Sequence, residues 1–181
     1  MLGGQRYRLL EPIGDGGHAV VHRALDQVAG REVAVKVYRD LMHSDDPDAL
    51  VEKARLWAAV DHPNVVRINE AIWDSDRACL VMELLRGDTL ATHLAQHGAL
   101  CFSDAAQIGA GLFEGLSAIH AAGLLHHDLH PGNVFVVKSR ALGLGAKLLD
   151  CDLLHETTTD TAIDVAGAPE YWAPEQARGQ Q

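Results

Sequence analysis

Asp128 and Asn133 stand in the stretch "HHDLHPGN", and Asp150 ends the apolar run "AKLLD". Carboxylates and a carboxamide are hard oxygen ligands, suited to Mg²⁺ and to holding a hydroxyl, and poorly suited to zinc. Upstream, "IGDGGHAVVHRA" sets Gly14, Gly16 and Gly17 in a turn between two apolar runs, where backbone N–H groups can approach phosphates that side chains would block. Lys36, in "VAVKVY", supplies a fixed cation. Taken in this order along the chain, these groups point to phosphate chemistry.

Elements must position them, and composition bounds what those can be. The 181 residues are 48% hydrophobic, enough to bury a core in one domain or two small lobes. With 25 acidic against 15 basic residues, the net charge of −10 argues against nucleic acid and against an anionic membrane surface as partners. No apolar run approaches the roughly 18 residues that span a bilayer, and "MLGGQRYRLLEPIG" lacks a signal-peptide core, so a cytoplasmic location is expected. Cys79, Cys101 and Cys151 are scattered and form no C-x-x-C pair; they read as reduced thiols and small buried hydrophobes.

The first 85 residues read mainly as strands, in "YRLLEPI", "AVVHRAL", "EVAVKVY", "VVRINEAIW" and "ACLVMELL". A helix over "DPDALVEKARLWAAV" interrupts them. After Gly87, "TLATHLAQHG" and "SDAAQIGAGLFEGLSAIHAAG" read as helices. The second places Ile108, Leu112, Leu116 and Ile119 on one stripe, with Ser103 as N-cap and Gly123 just past the end. Two short strands then flank the polar stretch and deliver its carboxylates to one place. The polar "HETTTDT", residues 155–161, is the nearest to a flexible segment.

The order of these pieces resembles the protein kinase family, in particular bacterial relatives of the eukaryotic serine/threonine kinases. "GDGGHAVV" resembles the glycine-rich loop, "VAVK" the strand of the nucleotide lysine, and "DHPNVV" the turn after helix C. "LVMELLRGDTL" resembles the hinge, "HHDLHPGN" the catalytic loop, "LLDCD" the metal-binding D-F-G, and "GAPEYWAPEQARG" the end of the activation segment. The resemblance implies an α+β, bilobal kinase-like fold. Residues 1–85 would form an antiparallel β-sheet N-lobe with helix C, and residues 86–181 a mostly helical C-lobe present only in part, with a hinge around 83–87.

It also implies roles. Lys36 would hold the α- and β-phosphates of ATP, Asp150 and Asn133 would bind Mg²⁺, and Asp128 would orient the attacking hydroxyl and accept its proton. Ile13, Gly14 and Gly16 would lie over the nucleotide. Val21 and Ala34 would sandwich the adenine with Phe135, the backbone of Glu83 and Leu85 would meet its edge, and Met82 would be the gatekeeper. The implied activity is transfer of the γ-phosphate of MgATP to a protein serine or threonine. The alternatives are a nucleotide-binding pseudokinase that serves as a regulatory or interaction module, and a small-molecule kinase. Partners would be a protein substrate or a regulatory protein.

Several positions depart from the family pattern. The helix C glutamate that pairs with the nucleotide lysine should lie nine residues before His62, where Lys53 stands; Glu52 is adjacent but about 100° away around the helix. The third loop glycine is Ala19, and D-F-G is Asp150, Cys151, Asp152. The arginine before the base is His127, and the lysine two residues after it is His130. The threonine that this lysine meets is Ala168. "DLHPGN" is also how the segment looks in small-molecule phosphotransferases, whereas "EYWAPEQ" belongs to protein kinases. The chain ends soon after A-P-E, where kinase domains continue for several helices.

Overall fold

A computed structural model describes residues 2–16, 19–39, 54–74, 77–139, 143–149 and 169–178. The chain divides into two units, Met1–Arg86 and Gly87–Gln181.

The first unit is an antiparallel sheet of β1 (Tyr7–Asp15), β2 (Ala19–Asp26), β3 (Arg31–Tyr38), β4 (Ile68–Asp74) and β5 (Arg77–Glu83), in the order β1-β2-β3-β5-β4. Alternation in "EVAVKVY" sorts its residues onto two faces. Val33, Val35 and Val37 pack with Tyr7, Ala24, Cys79 and Val81 in a closed core. Ala34, Lys36 and Tyr38 take the other face, and across the strands Val21 and Leu80 pair with Lys36, and Met82 with Ala34. Pro12 sits where the β1–β2 register shifts, on an edge strand that can spare its N–H.

The strand expected from Val65 begins later. Val65 and Val66 are buried, but pairing starts at Ile68, and the last expected strand ends at Glu83 rather than Leu85. Of the helix expected over 46–60, residues 54–58 are helical and bury Ala54 and Trp57. Its earlier part, with Glu52 and Lys53, lies outside the described residues.

A charged cluster closes one end of this sheet. Arg6 donates to both carboxylate oxygens of Asp26, at 3.0 and 2.8 Å, and to Glu70 at 2.7 Å. The Tyr7 hydroxyl also donates to Glu70. Asp26, 1% exposed, accepts from the N–H groups of Val28 and Ala29 as well, which ties the β2–β3 turn to the cluster. The hydrogen bonds from Arg6, ahead of the opposing cost of burial, hold the Asp26 carboxyl well below the usual carboxylate range.

The second unit begins with β6 (Asp88–Thr89), α1 (Leu90–His97) and α2 (Phe102–Ala121), followed by β7 (Val134–Ser139), β8 (Gly143–Leu148) and a short α3 (Pro174–Ala177). The strands form one sheet, β6-β7-β8. Gly87 has φ 138°, and a Cβ there would lie 2.8 Å from the Val136 carbonyl oxygen, so the position demands glycine.

Helix α1 is capped by the Thr89 side chain, which accepts from Thr92 N–H. Helix α2 ends as its sequence suggests. Gly123, at φ 76°, donates to His120 and Leu124 donates to Ile119, a Schellman closure.

At its start the expectation fails. The N-cap is Cys101, not Ser103, and it makes no side-chain cap bond. Asp104, in the first turn, supplies the negative charge that a helix N-terminus favours. The buried stripe is Ile108, Gly111, Gly115 and Ile119, with Leu112 and Leu116 only half-buried. The two glycines lie on the packed face of a helix that rests on β8, where Ala146 and Leu148 are fully buried. Cys79 is a buried thiol pushed up to about 11 by that burial, but Cys101 is exposed, contrary to expectation, because it precedes the helix.

Candidate active site

In the first unit, Lys36 sits at the centre of β3, half-buried, with its Nζ 4.8 Å from the centre of the Tyr38 ring. Val21 and Ala34 lie on the same face. Gly14 pairs with Val21 near the end of β1, and the Gly16 N–H donates to Ala19 O at 3.0 Å. A Cβ at Gly14 or Gly16 would meet nothing closer than 3.6 Å within the hairpin. Packing therefore does not require these glycines. Ile13 is half exposed beside them.

Where β5 ends, Glu83 N–H donates to Arg67 O at 3.0 Å, and the Glu83 carboxylate accepts from Arg67 N–H at 2.9 Å. These bonds fix the strand end. Among the described residues the backbone N–H and C=O of Leu85 make no hydrogen bond.

In the second unit, the segment from Leu124 to His130 runs from the end of α2 into a 3-10 turn, Pro131–Asn133. Three polar links hold it. His126, 3% exposed, donates from Nε2 to Leu149 O at 2.9 Å. Leu149 N–H in turn donates to Asn133 O at 2.8 Å. The Asn133 amide donates to the carbonyl and to Oδ2 of Asp128, both at 2.9 Å. These contacts join the polar segment to both strands of the β7–β8 hairpin, whose register sets Val134 opposite Leu148.

His127 adopts φ 59°, a left-handed conformation that non-glycine residues seldom take and that recurs at functional positions. His130 contacts Asp128 Oδ2 at 3.4 Å, and its ring lies 6.3 Å from that of Tyr171. Phe135 is half-buried in β7, opposite Thr89 on one side and Lys147 on the other.

Asp128 and Asn133 are thus brought into direct contact, and Lys36, Val21 and Ala34 share one sheet face. Asp150, Cys151, Asp152, Ala168, Gly17 and the segment 155–161 lie outside the described residues. Sequence reasoning missed Gly132. A Cβ there would lie 2.6 Å from Cε1 of His130, and the signal was its place directly after the histidine and proline of "HPGN".

The protein kinase domain family matches residues 7–181. The chain is 40% identical to serine/threonine-protein kinase pkn2 of Myxococcus xanthus, over 96% of this chain and 22% of that protein. It is 35% identical to a probable serine/threonine-protein kinase PknB of Bifidobacterium longum, over 99% of this chain and 28% of the relative. It is therefore less than a third as long as either. Among solved structures, Rad53 residues 1–466 in complex with AMP-PNP aligns with a TM-score of 0.80 at 24% identity, covering 97% of this chain and 43% of that one, a likeness of fold. The matched family, the serine/threonine kinase relatives and the shared fold agree, and the chain belongs to the protein kinase domain family.

Proposed function

We propose that the chain is a serine/threonine protein kinase domain that transfers the γ-phosphate of MgATP to a protein hydroxyl. The observation that carries this reading is the orientation of Asp128 and Asn133. Both hydrogen bonds donated by the Asn133 amide nitrogen go to Asp128, and among the described residues neither Asn133 Oδ1 nor Asp128 Oδ1 is engaged. One carboxamide oxygen and one carboxylate oxygen are left for other work.

The residues fit the family's metal. Asn133 Oδ1 is a neutral, hard oxygen of the kind that Mg²⁺ takes, and Asp150 would join it. A magnesium ion held there would neutralise charge on the phosphates during transfer. Asp128 Oδ1 would orient the acceptor hydroxyl and take its proton. Lys36 would hold the α- and β-phosphates. Gly14 and Gly16, which the hairpin does not need for packing, would let backbone N–H groups approach them under Ile13.

Val21, Ala34 and Phe135 would hold the adenine, its edge meeting the unengaged backbone of Leu85 and that of Glu83, with Met82 as gatekeeper. The acceptor would be a protein. The site of action would be cytoplasmic, where scattered thiols such as Cys79 and Cys101 stay reduced.

Thermal unfolding with and without ATP and Mg²⁺ tests the binding half of this reading. An upward shift that needs both is expected. No shift would contradict it. A shift without phosphoryl transfer would instead assign the chain a regulatory, nucleotide-binding role.

A further inference from the structure

We propose that His130 is a positioning residue that, through the triplet His130-Pro131-Gly132, fixes which oxygen of Asp128 faces the acceptor. The proposal rests on the phosphoryl-transfer reading above. The Gly132 N–H donates to Nδ1 of His130 at 3.0 Å. Nδ1 is therefore an acceptor, and the proton of the neutral ring is on Nε2. Nε2 lies 3.4 Å from Oδ2 of Asp128. That is long for a hydrogen bond, as catalytic contacts often are before substrate tightens them. Oδ2 is also the oxygen that Asn133 already holds at 2.9 Å. Asn133 donates to Oδ2 and Nε2 of His130 stands beside the same oxygen, which leaves Oδ1 as the free face of the base.

Gly132 is part of the device. A Cβ at this position would lie 2.6 Å from Cε1 and 2.9 Å from Nδ1 of His130, so only glycine lets the ring lie over the turn. Pro131, at the first position of the 3-10 turn, pre-sets its φ. A plainer role for His130 would be to cap this turn, since its side chain accepts from Gly132 N–H as a cap does. Ser, Asp or Asn would cap as well, but none is long enough to take the Gly132 N–H and touch Asp128 at once. Lysine, the family's usual residue here, has no acceptor for the Gly132 N–H. Imidazole has a group at each end.

The test combines steady-state kinetics with imidazole NMR on the full chain. His130→Ala and Gly132→Ala are expected to lower kcat about tenfold or more with the KM for MgATP within about twofold, because the base is misplaced while the nucleotide is not. His130→Gln, whose amide nitrogen reaches the place of Nε2, should retain more of kcat than His130→Asn, whose nitrogen stops at the place of Nδ1. Equal loss in Gln and Asn, or a rise in KM at constant kcat, would overturn the positioning role.

Two-bond ¹H–¹⁵N spectra should show His130 protonated on Nε2, with a resonance that moves in Asp128→Ala. The opposite tautomer, or a resonance blind to Asp128, would overturn the contact whether or not the chain transfers phosphate. A chain that transfers none while the imidazole reads as expected would contradict the kinase reading and uphold the contact.

Discussion

The β-sheet of the first unit and the polar loop of the second are built by opposite means. In the sheet, apolar side chains do the fixing: Val33, Val35, Val37 and Val81 close one face, and the Arg6–Asp26–Glu70 cluster locks one end. In the loop from Leu124 to Asn133 only His126 is buried, and its fixed points are hydrogen bonds to backbone carbonyls and amides. The sheet departs from regular pairing only near Pro12 and between Ile68 and Glu70, by register shifts that strands commonly carry. The loop breaks a backbone rule at His127, at φ 59°. The contrast teaches that the scaffold is held by burial, which tolerates variation in polar detail, whereas the loop is held by directional bonds, where one donor changes the geometry of the base.

The largest expected effect on stability is in the sheet. Val35→Ala deletes two methyl groups from a fully buried position, a loss of about 2 to 3 kcal/mol in chemical denaturation. Because Val35 faces away from Lys36, nucleotide affinity in the folded protein should change little; a large loss of affinity at modest loss of stability would break the comparison.

A smaller loss of stability and a larger loss of function should follow His126→Leu. It removes the donor to Leu149 O and should cost about 1 to 2 kcal/mol, while loosening the loop that carries Asp128. Measured together, kcat and unfolding should show the reverse balance to Val35→Ala. Equal activity would mean that the loop does not depend on this bond.

The last effect is read as a slope against pH and concerns Asp26. Its carboxyl is held below its ordinary 3.8 when folded, so below about pH 4 the unfolded chain binds a proton that the folded chain refuses. The stabilisation is present above that pH and is lost as pH falls toward the folded value. Asp26→Asn should flatten the stability–pH slope between about pH 4 and 2. An unchanged slope would remove the cluster from the account.

What the sequence showed, and what it hid, follows the same division. The run "EVAVKVY" read as a strand carrying Lys36, and Gly123 marked the end of α2, because both depend on local periodicity and backbone sterics. The kinase-like order of motifs named Asp128 and Asn133. Ser103 misled because a first-turn aspartate, rather than a cap hydroxyl, accompanies the start of α2. The stripe of Leu112 and Leu116 was displaced onto Gly111 and Gly115 because the packed face of α2 carries small residues, which hydrophobic periodicity does not register. The tie from His130 to Gly132 N–H was invisible, since a backbone donor leaves no mark in side-chain spacing.

The central claim is that the pair Asp128 and Asn133 serves phosphoryl transfer rather than only holding the loop together. The measurement that tests it most directly is transfer from γ-labelled ATP, with Mg²⁺, to a serine- and threonine-containing protein by the native chain and by Asp128→Asn, with thermal unfolding of both. The account predicts transfer by the native chain, a fall of at least about 100-fold in the variant, and equal MgATP-dependent stabilisation of the two. Equal transfer by both proteins, or none by the native chain, would contradict it.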